Sequence, residues 1–414
     1  MKPTVAYISQ LLPNLTETFV YREIFALQAR KFKVVPLSIH APHIDQLPDE
    51  AKDLARQTTY AFPLNRRRFL SAHAYFLLTR PHKYLRTLLF VMTRPEQSST
   101  VRQRTLYHFA EAVYLATHAQ REGVDHIHAH FSVNAATIAL VMSRLLDISF
   151  SFTVHNNIFT DRLILKEKLR ETKFVAVISD YSRNFLCDYL PDEPQLADKY
   201  HIVHCGVSLE QFKAKPKLIE TNTRPMIFTV GQLAERKGMP VLVEACRILH
   251  ERGCLFECLI AGDGTQRVEL EHLVETYQLQ DVVKLLGVVF QEDLPNYLHR
   301  TDIFAMACVT AENGDKDGIP VALMEAMAME IPVVSTYVSG IPELIDHEQN
   351  GLLVPEKNAP AFADALQELL ENKSLRDKFG KHGRQKIKRE FNINKTSLQL
   401  VNLLESIPHK NGES

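Results

Sequence analysis

Residues 315–335 read Asp315-Lys-Asp-Gly-Ile-Pro-Val-Ala-Leu-Met-Glu-Ala-Met-Ala-Met-Glu-Ile-Pro-Val-Val-Ser335. The pattern predicts a loop, a helix over 321–329 and a strand over 332–336. Two acids, Asp317 in the loop and Glu325 in the helix, bracket seven residues. Loop amides and a helix N-terminus bind anions, and a carboxylate can accept hydrogen bonds from two neighbouring hydroxyls. The stretch therefore predicts a site suited to a sugar nucleotide.

Strands and helices alternate on both sides of this stretch. In the second half we predict strands over 226–230, 256–261, 283–286, 303–307 and 351–354, with helices over 239–252, 267–277 and 293–299. The first half has predicted strands over 5–8, 33–39, 125–130, 150–154, 174–178 and 201–203, with helices over 18–29 and 135–146. Such alternation predicts parallel sheets covered on both faces, with ligands at the carboxyl ends of the strands.

A polar break divides the two halves. Lys, Pro, Thr and Asn replace the apolar pattern over 213–225, which we interpret as a linker. We expect an N-terminal acceptor-side domain over 1–212, a C-terminal nucleotide-sugar domain over 226–390, and a C-terminal helix within 391–414 that packs back on the first domain. Two sheets in one chain leave a cleft between them.

The composition is that of a globular protein. The 414 residues are 45% hydrophobic and 23% charged, which excludes collagen-like and disordered classes. The net charge of −1 argues against a nucleic-acid partner. The six cysteines are scattered, there is no apolar run of transmembrane length, and the N-terminus lacks a signal-peptide pattern. We therefore expect a cytoplasmic protein.

Several stretches resemble the retaining GT-B glycosyltransferases of family four, also called group 1. In the second half they are the acid-x7-acid motif and residues 231–238, 260–264, 338–343 and 351–355; in the first half they are 152–156, 178–179 and 204–207. Residues 17–24 and 314–320 are similar to the exopolysaccharide, colanic-acid-type subgroup. The resemblance implies an α/β GT-B fold of two Rossmann-like domains facing across a cleft. It also implies retaining transfer of a hexose from a nucleotide-diphosphate sugar to a growing, lipid-linked exopolysaccharide or other surface glycan.

The same resemblance implies a role for each matching residue. Glu325 would hold the donor ribose, Arg236 and Lys237 the diphosphate, and Asp317 the transferred sugar. The implied catalytic residues are His155, Asp317, Arg236 and Lys237; the implied donor-binding residues are Gly231, Arg236, Lys237, Gly262, Gly318, Ile319, Pro320 and Glu325. On the acceptor side they are Glu17, Thr18, His130 and Asn156. The resemblance implies no cofactor and no metal, because the donor sugar nucleotide is itself a substrate.

Three positions depart from the family pattern. Asp317 stands where a longer Glu is usual, and Cys205 stands where Asn is common. Glu330 occupies the helix end where the family has Gly, and a residue other than Gly at positive φ costs about 1 kcal/mol.

Other interpretations stay open at this point. Asp315 and Asp317 spell the D-x-D of metal-dependent glycosyltransferases, and His126, His128 and His130 alternate along a strand as metal ligands do. We favour hydrogen-bonded histidines, because no nearby Cys or carboxylate completes a ligand set. A GT-B isomerase, a phosphorylase and a non-catalytic sugar-nucleotide-binding protein are the alternative functions.

The segment 62–104 is strongly basic. It holds nine Lys and Arg residues against the single acid Glu96, with Phe, Leu and Tyr between them. Pro81 is expected to separate two helices. Cations interleaved with apolar side chains favour an anionic membrane surface. We therefore expect a peripheral protein on the inner face of the plasma membrane.

Overall fold

The computed structural model describes residues 2–14, 17–47, 49–94, 98–214 and 224–409. The predicted linker over 213–225 falls mostly outside this part of the chain. Two compact units are present: residues 1–178, 182–203 and 397–414 form the first, and residues 179–181 and 204–396 form the second.

The first unit is a seven-stranded parallel sheet with helices on its faces. In chain order its elements are β1 (Val5–Leu11), α1 (Thr18–Ala29), β2 (Val34–His40), α2 (Asp49–Gln57), β3 (Thr59–Phe62), α3 (Arg66–Thr79), α4 (Pro81–Met92), α5 (Ser99–Arg121), β4 (His126–His130), α6 (Asn134–Leu146), β5 (Ser149–Val154), α7 (Leu165–Glu171), β6 (Val175–Val177), α8 (Asp180–Tyr189) and β7 (Tyr200–Ile202). The strand order is β3-β2-β1-β4-β5-β6-β7, so it reverses between β1 and β4.

Strand β4 shows how the sequence builds this sheet. Ile127 and Ala129 are completely buried and belong to the main core cluster with α5 and α6. Since side chains alternate along a strand, the histidines between them point to the opposite face. Ten of the thirteen residues of α6 are buried, because this helix covers the apolar face.

The second unit is a six-stranded parallel sheet. Its elements are β8 (Met226–Val230), α9 (Met239–Glu251), β9 (Glu257–Ala261), α10 (Arg267–Thr276), β10 (Val283–Gly287), α11 (Leu294–Arg300), β11 (Ile303–Ala305), α12 (Val321–Ala328), β12 (Val333–Thr336), α13 (Ile341–Leu344), β13 (Gly351–Val354), α14 (Ala359–Glu371) and α15 (Lys373–Glu390), in strand order β10-β9-β8-β11-β12-β13. The prediction of two parallel, Rossmann-like sheets is confirmed.

Residues 204–212, which the sequence analysis assigned to the first domain, pack with the second unit. Val207 exchanges backbone hydrogen bonds with Phe391 at 2.8 Å and Ile393 at 3.1 Å, and Phe212 is completely buried in the second core. The last helix is α16 (Ile393–Glu405), and its residues from Ser397 onward belong to the first unit. Its Leu400 and Leu404 are buried in a cluster with residues of β1 and α1.

Glu330 has the left-handed backbone that the sequence predicted for it. Its φ is 62°, just after the end of α12. A Cβ atom strains this conformation and Gly does not, so Glu330→Gly should raise the free energy of unfolding by about 0.5–1 kcal/mol. Urea denaturation measures the change. Glu330→Ala is the control, because it removes the side chain near Arg384 but keeps the Cβ; a Gly variant no more stable than the Ala variant would contradict the argument.

Candidate functional site

The loop that follows β11 brings Asp317 against two cations of the second unit. Lys237 Nζ lies 2.8 Å from Asp317 Oδ2, and Arg236 Nε lies 3.3 Å from Oδ1. Arg236 also pairs with Asp315 at 3.0 Å and donates to Gln232 Oε1 at 3.0 Å. Asp317 is buried, so this pairing offsets the cost of removing its carboxylate from water. Two carboxylates and two cations therefore form one charge cluster.

Two glycines allow the backbone to approach closely beside this cluster. Gly238 has φ 62°, and a Cβ there would lie 1.8 Å from Ala307 O; Gly262 has φ 134°, and a Cβ would lie 1.8 Å from Gly231 O. Both positions therefore require Gly. They place the turn Glu235–Lys237 at the carboxyl ends of β8, β9 and β11. Gly231 lies beneath the Lys237 side chain, where a Cβ would contact Lys237 Cε at 3.3 Å.

Glu325 lies on α12, eight residues beyond Asp317. Its side chain is 4% exposed, and Gln291 Nε2 donates to its Oε1 at 3.0 Å. Gly318, Ile319 and Pro320 are buried between the two acids and lead directly into the helix. The sequence analysis missed Gln291, which lies in the loop after β10, because no motif marked it.

Both acids of the Asp315-Lys-Asp317 sequence are engaged by cations. Arg236 contacts each of them, and Lys237 contacts Asp317. A metal ion bound by this pair would have to displace both basic side chains, which weakens the D-x-D interpretation.

The first unit brings His130 and His155 together at the carboxyl ends of β4 and β5. His130 Nδ1 lies 3.2 Å from His155 Nε2, and His130 Nε2 lies 3.0 Å from Glu23 Oε1. Tyr7 also donates its hydroxyl to Glu23. Burial holds the pKa of His155 well below its ordinary value, so its imidazole is neutral. Glu23 was missed by the sequence analysis; an acid on the otherwise buried face of α1 was the available signal.

The other two β4 histidines are hydrogen-bonded to β5. His126 lies 2.7 Å from both Ser149 Oγ and Ser151 Oγ, and His128 lies 2.8 Å from Ser151 Oγ and 2.9 Å from Thr153 Oγ1. Burial lowers the pKa of His126 to about 3. The interpretation as buried, hydrogen-bonded histidines is therefore supported.

A possible metal-ligand set does occur next to them. The ligand atoms of Glu23, His128 and His130 lie within 4.8 Å of one another. Hydrogen bonds already engage both ring nitrogens of each of the two histidines. A metal ion would have to replace these bonds.

The remaining acceptor-side residues lie near this pair. Glu17 precedes α1, Thr18 is its buried first residue, and Asn156 begins a short turn directly after His155. Phe19 packs on His155 with ring centroids 4.8 Å apart, and Phe131 does so at 4.6 Å. Neither phenylalanine was predicted, since nothing local distinguishes it from a core residue.

Glu17 should make stability depend on pH. Burial raises its pKa from 4.5 to about 7, although a hydrogen bond with Asn14 and the charge of His130 oppose the shift. Between these values the folded state binds more protons than the unfolded state, so the free energy of unfolding falls as the pH rises. Glu17→Gln should therefore gain stability relative to the parent between pH 5 and pH 8, measured by thermal denaturation. The exposed Glu269→Gln should show no such gain, and parallel profiles for Glu17→Gln and the parent would contradict the assignment.

Comparison with solved structures identifies the fold. The structure aligns with sucrose-phosphate synthase of Thermosynechococcus elongatus with a TM-score of 0.72 and 20% identity, covering 97% of this chain and 98% of that one. Anabaena HepE, solved in complex with UDP, aligns with a TM-score of 0.70 and 15% identity over 97% of this chain and all of that one. These similarities establish the GT-B fold.

Two sequence relatives each match about half of the chain. The Erwinia amylovora amylovoran biosynthesis glycosyltransferase AmsK is 41% identical over 212 residues, 51% of this chain and 52% of that protein. The putative colanic acid biosynthesis glycosyltransferase WcaL of Escherichia coli is 39% identical over 213 residues, 51% and 52% of the two chains. The matched region thus spans about half the length of these curated relatives.

Two family models match adjacent parts of the chain. "Glycosyltransferase Family 4" matches residues 16–211, and "Glycosyl transferases group 1" matches residues 210–386. The second match includes the charge cluster and Glu325, and the first includes the His130–His155 pair. The chain therefore belongs to the group 1, family 4 glycosyltransferases.

Proposed function

We propose that this protein transfers a hexose, with retention of configuration, from a nucleotide-diphosphate sugar to a glycan acceptor. The observation that carries the proposal is the arrangement of Arg236 and Lys237 around Asp317, with Glu325 on the helix that follows, eight residues further along the chain. This arrangement offers cations for a diphosphate and carboxylates for sugar hydroxyls within one unit. We propose no cofactor and no metal ion for this transfer.

The chemistry follows from the charges. Breaking the bond between the sugar and the diphosphate places negative charge on the departing phosphate oxygen. Arg236 and Lys237 would exchange their pairing with Asp317 for this charge, and a preorganised cation is worth most where charge develops. Asp317 is then free to accept hydrogen bonds from the transferred sugar. Glu325 would accept hydrogen bonds from the ribose.

We further propose an exopolysaccharide or other surface glycan as the acceptor, in lipid-linked form. AmsK and WcaL are named for amylovoran and colanic acid biosynthesis, which supports this acceptor class. The alternatives are an isomerase, a phosphorylase or a sugar-nucleotide-binding protein. Turnover of the donor separates the non-catalytic binding protein from the enzymes.

The test is donor cleavage with and without a chelator. The purified protein is incubated with UDP-, GDP- and ADP-hexoses and a bacterial lipid extract, and the released nucleoside diphosphate is measured. We expect one donor to be cleaved, with most of the activity retained in EDTA. Binding without cleavage would indicate a binding protein, and complete loss in EDTA would restore the D-x-D interpretation.

The basic segment presents leucines and arginines together on its surface. Leu78 of α3 is 81% exposed and Leu89 of α4 is 61% exposed. We define the leucine–arginine surface by its exposed residues Arg66, Arg67, Arg68, Leu70, Leu77, Leu78, Leu85, Arg86, Leu89 and Met92. We propose that this surface docks on anionic lipid, with the leucines entering the headgroup region.

Several cations of the segment have protein partners instead. Lys83 pairs with Asp147 at 3.1 Å, Arg104 pairs with Asp161 at 2.9 Å, and Arg80 donates to Leu145 O at 3.1 Å. The sequence analysis counted these cations with the others. In the described part of the chain, no helix is both long enough and apolar enough to cross a bilayer.

Liposome sedimentation tests the surface. We expect the protein to sediment with anionic vesicles, less so at high salt, and not with neutral ones. Replacing Arg66, Arg67, Arg68 and Arg86 by Gln should release it, since each cation contributes about 1 kcal/mol near an anionic surface. The matched control replaces the exposed Lys373, Lys378, Lys381 and Lys388 of α15 by Gln and should still sediment. Equal sedimentation of the two variants would contradict the assignment.

A further inference from the structure

A cavity of about 430 Å³ lies at the carboxyl end of β2 in the first unit, beside α5 and the first residue of α6. Small-molecule sites commonly measure roughly 300–1,000 Å³. The strand order reverses between β1 and β4, and Asn134 of the cavity wall is the first residue of the helix that follows β4. In doubly wound sheets this is where a crevice forms outside the strand ends, and where ligands bind. His155 is not among the residues that line the cavity.

One face of α5 supplies most of the cavity wall. Its contributions recur at helical spacing and are all polar or aromatic: Gln103, Arg104, Tyr107, His108 and Glu111. Ile39 and His40 at the end of β2 and Asn134, the first residue of α6, complete the wall. A helix face that turns such side chains toward the end of a sheet is built for a polar ligand rather than for core packing.

Two cavity-lining rings, His40 and Tyr107, both stack on Phe62. The rings of Phe62 and Tyr107 lie 5.9 Å apart with planes 10° from parallel, and His40 stacks on Phe62 at 5.6 Å. Tyr107 is 54% exposed, so much of its ring is open to a ligand. An aromatic face carries negative charge density, which attracts the polarised C–H groups of a sugar ring.

Beside the stack lies a chain of hydrogen-bonded side chains. Glu111 Oε2 lies 2.7 Å from His108 Nδ1, and Asn134 Oδ1 lies 3.0 Å from both His108 Nε2 and Arg104 Nη2. Glu111 is 3% exposed, and its Oε1 has no hydrogen-bond partner in the described part of the chain. Buried oxygens are nearly always satisfied, so an unsatisfied one in a cavity wall points to a ligand hydroxyl.

We propose that this cavity binds one pyranose unit of the acceptor glycan, with its C–H face on Tyr107 and its hydroxyls toward Glu111 and Arg104. The inference rests on the proposed function, because it gives a binding site for the acceptor of that reaction. Its residues belong to no family motif. A nucleobase would also stack on Tyr107. A base offers no vicinal hydroxyls to a carboxylate, however, and the diphosphate-binding cations lie in the other unit.

Saturation-transfer NMR on the full chain tests the proposal. The probes are the methyl pyranosides of glucose, galactose, mannose, fucose and glucuronic acid at millimolar concentration, with uridine and guanosine as competing ligands. We expect at least one pyranoside to receive saturation at its ring protons. Tyr107→Leu should raise its dissociation constant about tenfold or more, and Tyr107→Phe, which keeps the ring, by less than about threefold. Glu111→Gln serves as the second variant and should weaken the same pyranoside at least about fivefold.

The other outcomes contradict either the sugar site or the proposed function. The inference fails if no pyranoside receives saturation, if Tyr107→Leu binds as well as Tyr107→Phe, or if a nucleoside alone occupies the cavity. Donor binding is measured on the same samples by calorimetry and should be unchanged in the Tyr107 variants. If the parent binds pyranosides through Tyr107 but neither binds nor cleaves any nucleotide sugar, the proposed function fails and the sugar site stands.

Discussion

Replacing Arg236 and Lys237 together by Ala should lower kcat by about 100-fold or more while changing the KM for the donor much less. Both cations lie within 3.3 Å of Asp317, in a loop that fixes their positions before the donor arrives. Because negative charge on the diphosphate grows as the sugar leaves, they stabilise the transition state more than the bound donor. Losing preorganised donors of this kind costs factors of about 100–1,000 in rate.

Steady-state kinetics with the preferred donor measures this effect. The matched control replaces Lys388 and Arg389 by Ala, an exposed basic pair on α15 whose loss should leave kcat unchanged. A rise in KM with kcat intact would mean that the two cations bind donor and transition state equally.

Glu325→Gln should weaken donor binding by at least about 1.5 kcal/mol, which is more than tenfold. Gln is nearly the same size as Glu, and its amide oxygen can still accept the hydrogen bond from Gln291, so α12 should keep its position. The variant would lose the negative charge of the carboxylate that we propose accepts hydrogen bonds from the ribose. Charge-assisted hydrogen bonds are roughly twice as strong as neutral ones.

Calorimetric titration of the donor measures that loss. Glu368→Gln, an exposed acid on α14 of the same unit, is the control and should bind the donor as the parent does. Unchanged affinity in Glu325→Gln would remove this residue from the site.

The grouping of Arg236 and Lys237 with Asp317 could be predicted from sequence because these residues lie on short continuous segments. Residues 231–238 follow one strand and residues 315–325 follow another, and the carboxyl ends of parallel strands meet at one edge of a sheet. The pairing of Arg236 with Asp317 follows from that rule, although they are 81 residues apart. Gln291 could not be predicted in the same way, since only the tertiary fold brings its loop to Glu325.

The side-chain arrangements of the first unit were less predictable for a related reason. Glu23 reaches His130 from a helix 107 residues away, and the cavity wall on α5 is recognisable only once Phe62 and His40 lie beside Tyr107. The charge of the segment 62–104 also misled in part. Composition weights every cation equally. Arg80, however, bonds to α6, Lys83 to the residue that caps the end of α6, and Arg104 to the loop before α7, and no local pattern links these partners to the segment.

The central claim is that the second unit binds a nucleotide-diphosphate sugar, and thermal denaturation of the full chain with UDP-, GDP- and ADP-sugars tests it most directly. A ligand that binds only the folded state stabilises it by about 2.7 kcal/mol at 100 times its dissociation constant. We expect at least one of these sugars to raise the Tm of the parent in the presence of EDTA, and to raise that of the Arg236→Ala, Lys237→Ala variant much less. A parent whose Tm is moved by none of the nucleotide sugars, or a variant stabilised as much as the parent, would contradict the account.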